Sequence, residues 1–204
     1  LLAMLSQKFP FRIEVATQIN HAAELFPEVE AAYRRVREAV GVIYNQTVLL
    51  RGVNDTLEEL VELCDRLRAI GIENHYLFHC VPIAGLNSLR TPLQRAIELA
   101  RDLSASGLIS GREKPQFAVM TDIGKITMYE GTILDHRDNK YLLRSSYLHS
   151  ERLAFNPSWQ LPKTAFVGPD GRLWVWYTDA AAGAAHGDSE RHSALLAGAS
   201  VAGR

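Results

Sequence analysis

The stretch Asn45-Gln46-Thr47-Val48-Leu49-Leu50-Arg51-Gly52-Val53-Asn54-Asp55 constrains the fold of this chain more than any other. Val48, Leu49 and Leu50 form a short continuous apolar run, the pattern of a parallel strand covered on both faces. Gly52 and Asn54-Asp55 are turn residues, and Thr56 with Glu59 makes a capping box that opens a helix. Polar residues therefore stand at both ends of one strand. In parallel α/β folds ligand chemistry gathers at strand carboxyl ends.

The flanking pattern repeats the same alternation. Residues 11–17, with Ile13 and Val15 alternating, predict a strand that ends at Gln18-Ile19-Asn20-His21. Pro27 in a first helical turn, then Val29, Ala32, Tyr33, Val36 and Val40, predict an amphipathic helix closed by Gly41. Leu57, Leu60, Val61, Cys64 and Leu67 share a face of the next helix, which Gly71 stops. Residues 75–81 predict a third strand. Thr91, Pro92 and Gln94 read as a second capping box, with proline in the first helical position of a helix that runs to Gly107. Residues 116–121 predict a fourth strand. Such alternation with short connections predicts a parallel sheet with right-handed crossovers. Pattern alone leaves two architectures open: part of a β/α barrel, or an open doubly wound sheet.

Beyond Lys125 the pattern changes. Residues 126–179 read as an antiparallel β appendage, with short pieces at 126–129, 132–134, 141–144, 165–167 and 173–177 and a turn at Pro169-Asp170-Gly171. This part is expected beside the mouth of the larger unit or at a subunit contact, which leaves a homo-oligomer open. Residues 180–204, rich in Ala, Gly, Ser and His, read as a disordered tail. A net charge of -1 gives no basic footprint, so neither nucleic acid nor an anionic membrane surface is an expected partner. No apolar run reaches the length of a membrane span, and Cys64 and Cys80 are too few for a disulfide framework, so a cytoplasmic setting is expected. The opening Leu1-Leu2-Ala3-Met4-Leu5 reads as a helix already under way, which suggests part of a longer chain.

Among residues able to carry chemistry, Lys125 in Thr121-Asp122-Ile123-Gly124-Lys125 stands at the end of a buried strand. A lysine there forms a Schiff base if burial lowers its pKa; otherwise it is a solvated lysine with Asp122 a turn residue. Gln46 reads either as a cofactor contact or as a partner for backbone groups. His75, His79 and Cys80 invite a metal reading, but residues 79 and 80 point to opposite faces and no HxxxH or CxxC spacing supports it. Arg90 is a candidate anion contact at a helix start. Arg34, Arg35 and Arg37 make a solvated helix edge, and Trp174 and Trp176 share a strand face that suits packing.

Residues 45–55 resemble, without a break, the segment "NQTVLLRGVND" of the lysine 2,3-aminomutase family of radical S-adenosylmethionine enzymes. Thr17-Gln18-Ile19-Asn20-His21 resembles its "THFNHP", and Leu89-Arg90-Thr91-Pro92 its "FRTP", in the same order and spacing. The resemblance implies that 1–125 form the second half of a partial β/α (TIM-like) barrel. It implies S-adenosylmethionine near Gln46, Gln18, Asn20 and His21, although Gln18 replaces a family histidine. Asp122 and Lys125 match the ends of "VDAPGGGGK", whose lysine holds pyridoxal phosphate and whose aspartate holds the substrate's side-chain ammonium; here the glycine run is cut to Gly124. Val81 replaces an aspartate of the lysine mutases and Phe78 replaces a tyrosine, which implies an amino-acid substrate unlike lysine. The family's 4Fe-4S cluster hangs on a CxxxCxxC that these residues lack, so its ligands are expected outside this chain. Two readings follow: the carboxyl-terminal part of an aminomutase-like radical enzyme, or a cluster-free half-barrel that binds a small molecule or protein.

Overall fold

The structure, a computed structural model, describes residues 1–8 and 11–180. After the short helix α1 (Leu2–Lys8), strand and helix alternate as β1 (Glu14–Thr17), α2 (Pro27–Arg37), β2 (Val42–Leu49), α3 (Leu57–Ala69), β3 (Glu73–His79), α4 (Leu93–Ala105) and β4 (Gln116–Thr121). The four strands lie side by side in chain order and pair in parallel. Local chemistry sets the helix ends. Pro27 fills the first turn of α2, where its missing N–H leaves no bond unmade. Thr56 accepts the Glu59 N–H at 3.3 Å at the head of α3, and Gly71 takes φ +80° just past its end.

One sequence expectation fails at β2. The strand is not covered on both faces: buried and half-buried residues alternate along it. Ile43 packs against Leu63 and Leu67 of α3, and Leu49 against Leu60 and Cys64. Val29, Tyr33 and Val36 of α2 and Leu93, Ala96, Leu99 and Leu103 of α4 join the same side. The helices thus line a single face of the sheet, and no described helix covers the other. One-sided helices and an unreversed strand order exclude the doubly wound alternative, which needs helices on both faces.

Two further corrections concern the ends of elements. Thr91 and Gln94 form no capping box. Thr91 Oγ1 is buried without a partner, Pro92 is the residue before the helix, and Asp179 Oδ1 accepts the Leu93 N–H at 2.7 Å. Proline at the cap position has no side-chain oxygen to accept from the helix end, so the cap is supplied by a distant segment. Residues 126 and 127, expected to open the appendage, instead belong to β5 (Gly124–Thr127), which pairs antiparallel with β4 and extends the first sheet. Gly124, at φ +115°, permits the tight reversal.

The second sheet has strand order β6 (Ile133–Arg137), β7 (Lys140–Leu148), β9 (Arg172–Thr178), β8 (Ala165–Val167), all antiparallel. A helix α5 (His149–Phe155), which the sequence pattern does not signal, follows β7. Leu143, Leu173, Val175 and Tyr177 are buried in the same core as Leu99, Phe117, Val119 and Ile126. Each such side chain contributes about 1.5–3 kcal/mol by leaving water. Apart from Ala180, which is buried, the tail read as disordered lies outside the described residues. Among the described residues no helix is long and apolar enough to cross a membrane.

Candidate functional site

The polar residues around β2 divide by the face they occupy. Asn45 lies on the helix side and is 1% exposed. Its Oδ1 accepts the Ile19 N–H at 2.7 Å and its Nδ2 donates to the Ile19 carbonyl at 2.8 Å. A side-chain amide thus serves as the next ladder partner where β1 stops. Thr47 Oγ1 accepts from Asn45 Nδ2 at 2.8 Å and donates to the Ile19 carbonyl at 3.2 Å. Asn54 Oδ1 accepts the Leu50 N–H at 2.7 Å, while its Nδ2 donates to the carbonyls of Val48 and Asn20. Asn20 Oδ1 accepts the Val48 N–H at 2.8 Å. These four side chains lock the loop after β1 onto the end of β2.

Asn20 and His21 are therefore held by the fold's own bonds. His21 Nδ1 accepts the Ala23 N–H at 3.0 Å and starts a short turn, and Glu24 Oε1 accepts the N–H groups of both Asn20 and His21. What each offers a ligand is the amide NH2 of Asn20 and Nε2 of His21. Gln18 is exposed past the end of β1.

Gln46 points to the open face. Its register partner across the ladder is Tyr76, and Val48 likewise faces Phe78. Tyr76 and Phe78 stack at 5.2 Å, His75 meets Tyr76 edge-on at 4.1 Å, and Tyr44 meets His75 at 5.0 Å. Lys125 reaches this aromatic row from β5: its Nζ lies 3.6 Å from the centre of the Tyr76 ring. Burial and then the Lys125 charge push the His75 pKa down, against an opposing pull from the Glu14 charge, so this imidazole stays neutral to lower pH than an ordinary histidine. Gln46, Tyr76 and Lys125 thus share one surface.

Asp122 does not join them. It is exposed in the turn between β4 and β5, and its Oδ2 accepts a hydrogen bond from Thr164 Oγ1. The turn is clamped on all sides. Thr121 Oγ1 donates to the Gly124 carbonyl at 2.6 Å, Tyr147 Oη to the Lys125 carbonyl at 2.7 Å, and Arg152 to the Ile123 carbonyl at 2.7 Å. The Arg152 guanidinium also lies 4.3 Å from the Tyr147 ring centre. The positive φ at Gly124 favours glycine, and a Cβ there would also press on the Tyr147 hydroxyl at 3.2 Å, so that side chain would have to give by a few tenths of an ångström. Tyr76 could have been found in the sequence, two places before Phe78 on the same face. Tyr147 and Arg152 carry no such signal, because only the docking of β7 and α5 brings them to the turn.

The other strand-end cluster is structural. His79, fully buried, places Nε2 2.8 Å from the Thr91 carbonyl and Nδ1 2.6 Å from Tyr177 Oη. A carbonyl only accepts, so the proton sits on Nε2 and the tyrosine donates to Nδ1. Burial pushes the His79 pKa down and the nearby Arg90 charge adds to it, against an opposing contribution from the Thr91 carbonyl. Burial pushes Tyr177 up to about 12. Arg90, 1% exposed, donates to the carbonyls of Cys80, Thr178 and Asp179 at 2.9, 2.7 and 2.8 Å. The reading of Arg90 as an anion contact is thereby corrected: its guanidinium is consumed by strand-end carbonyls. Burial raises both thiols, Cys64 to about 12, which makes them poor metal ligands. Among the described residues no three His, Cys, Asp or Glu side chains group to hold a metal ion.

No family model matches the chain. It is similar to the L-lysine 2,3-aminomutase of Clostridium subterminale, at 31% identity over 71% of this chain and 34% of that protein. Similarity to the L-lysine 2,3-aminomutase of Acetoanaerobium sticklandii is 30%, over the same shares. With the L-lysine 2,3-aminomutase of Fusobacterium nucleatum it is 34%, over 58% of this chain and 27% of that one. The chain thus spans about a third of the length of the curated relatives it matches. Among solved structures it resembles a radical SAM methyltransferase from Sphaerobacter thermophilus, at 21% identity and a TM-score of 0.41 over 60% of this chain and 39% of that one. That last likeness is too low to carry an argument.

Proposed function

Given that this chain belongs to the lysine 2,3-aminomutase family of radical S-adenosylmethionine proteins, we propose that it forms the carboxyl-terminal part of an aminomutase-like radical enzyme. In this reading β1 to β4 are the second half of a partial barrel, and the open face is one wall of the reaction cavity. The observation that supports it is the sharing of that face by Gln46, Tyr76 and Lys125 while the helices line the other. A sheet so built has its chemistry-bearing side chains where a closed barrel would look inward. The substrate is an amino acid or a close derivative, unlike lysine, since Val81 offers no acceptor and Asp122 is engaged with Thr164.

The described residues do not fit an iron–sulfur cluster: the two thiols are buried, far from thiolate, and on different elements. The cluster ligands belong to residues outside these 204. S-adenosylmethionine fits better, with Gln46 free to offer an amide on the open face and the rings of Tyr76 and Phe78 beside it. When bound and reduced, that cofactor supplies a carbon radical able to take a hydrogen atom from the substrate. The chain's own part is to bind, orient and keep water from the reacting centre. Pyridoxal phosphate does not fit Lys125. The lysine stands on a paired strand after a two-residue turn, and the hydroxyl of Tyr147 and the guanidinium of Arg152 nearby are engaged with backbone carbonyls. No glycine-rich nest remains to cradle a phosphate.

The test uses the gene product with all coding sequence upstream of Leu1, purified without oxygen. The expected result is a brown protein that cleaves S-adenosylmethionine to 5′-deoxyadenosine on reduction. Gln46→Leu should weaken cofactor binding by about three- to tenfold, the worth of one hydrogen bond. A protein that stays colourless after cluster reconstitution overturns the reading and favours a cluster-free binding module.

A further inference from the structure

We propose that Lys125 is a fixed anchor for a carboxylate, and that the substrate of this site presents an anionic end to the open face. The proposal rests on the reading of that face as a cavity wall. Lys125 is half-buried, its ammonium is seated over the Tyr76 ring at 3.6 Å, and among the described residues it forms no ion pair. An ammonium carries three donors and a full charge, and a ring face partly compensates the charge but accepts no ordinary hydrogen bond. A cation placed this way keeps its donors for an anionic partner, with which it would make a charge-assisted hydrogen bond.

The surroundings fix the sign of the missing half. The wall next to Lys125 is formed by Tyr76, Phe78 and Met120, the last being its direct partner across the β4–β5 ladder, with the His75 imidazole close enough to feel the Lys125 charge. The nearest carboxylate in sequence, Asp122, is turned out to Thr164. Gln46, in register with Tyr76, adds an amide donor on the same surface. A second ammonium would meet repulsion here, whereas a carboxylate meets a cation and an amide. The clamp on the hairpin gives the anchor its precision. With the carbonyls of Ile123, Gly124 and Lys125 all bonded, the backbone that carries Lys125 cannot swing, and only its side chain adjusts. That suits a point charge aimed at one place. It suits poorly a lysine that must follow a cofactor through covalent exchange.

Competitive labelling of the gene product with all coding sequence upstream of Leu1 tests the idea. Formaldehyde with cyanoborohydride methylates lysine amines, and the other four lysines of these 204 residues (Lys8, Lys114, Lys140 and Lys163) serve as internal controls for the rate each shows without ligand. Glutarate should slow methylation of Lys125 alone, and the diamine cadaverine should not. Lys125→Arg should retain glutarate binding, and Lys125→Gln should weaken it by about tenfold or more, the loss of one hydrogen bond to a charged group. With pyridoxal phosphate and borohydride, Lys125 should be labelled no faster than the controls. Selective labelling there, protection by cadaverine, or no protection by glutarate overturns the proposal. S-adenosylhomocysteine separates the two sources of a carboxylate: if it protects Lys125 and glutarate does not, the anchored group belongs to the cofactor and the substrate assignment falls. None of these readouts involves the cluster or cofactor cleavage, so the anchor can fail while the radical reading stands, and the reverse.

Discussion

The polar knot around Asn45 joins groups 26 to 34 residues apart, and the one around Arg90 joins groups 86 to 98 apart. Both work in the same way, by using side chains to satisfy backbone groups that regular pairing leaves over at strand ends. They differ in charge and in what they tie. The first is neutral and lies within one β–α–β unit, where Asn45 and Asn54 close the gap between β1 and β2. The second buries a guanidinium and fastens β9 of the second sheet to the ends of β3 and α4. The lesson is that the parallel unit is completed locally, whereas the appendage is part of the same core and not an optional addition. Arg90 and Asp179 exchange service across the junction: the arginine satisfies the carbonyls of Thr178 and Asp179, and the Asp179 carboxylate caps α4.

The contrast can be broken most sharply at Arg90. Arg90→Met fills similar volume but removes the guanidinium from one buried and two half-buried carbonyls, and should cost about 3–5 kcal/mol in denaturant unfolding. A loss under about 1 kcal/mol would mean that the sheets are held by apolar packing alone. Asn45→Leu should cost less, about 2–3 kcal/mol, because it strands the Ile19 N–H and leaves the Ile19 carbonyl with the Thr47 hydroxyl as its remaining side-chain donor. Asn45→Asp sharpens the point: it keeps the acceptor for Ile19 N–H but sets a buried carboxylate oxygen against the Ile19 carbonyl, and at neutral pH should cost at least as much as Asn45→Leu. The smallest effect is the pH dependence. Burial lowers the His79 pKa in the folded chain, so the unfolded chain binds the extra proton. The stability this histidine protects is complete above about pH 6.5 and is lost as pH falls through that value toward the folded pKa. Thermal melts from pH 7.5 to 5.5 should show a falling midpoint, with a shallower slope in His79→Gln. Equal slopes would place the acid sensitivity elsewhere, with His75 the next group to test.

How far the sequence could be read differs between the same regions. The strands from β1 to β4 and the helices between them were legible because apolar periodicity, Pro27, Thr56 and Gly71 all act within a few residues. Gln46 and Lys125 could be singled out by type and position. That they face a common row of rings could not, since it depends on the β2–β3 register and on the reversal of β5. Arg90 misled for a related reason: an arginine before a helix resembles an anion site until a remote strand delivers carbonyls to it. Thr91 misled likewise, its expected role having passed to Asp179.

By itself the sequence determined the alternating α/β order from β1 to β4 and the resemblance carried by residues 45–55, because each is written in neighbouring side chains; that residues 126 and 127 still belong to the first sheet was not written there. The tertiary structure alone decided which face of the sheet stays open, which polar residues are consumed by the fold, and which remain for a ligand. Those outcomes turn on hydrogen bonds and burial between segments tens of residues apart, where a side chain's role is set by what arrives beside it.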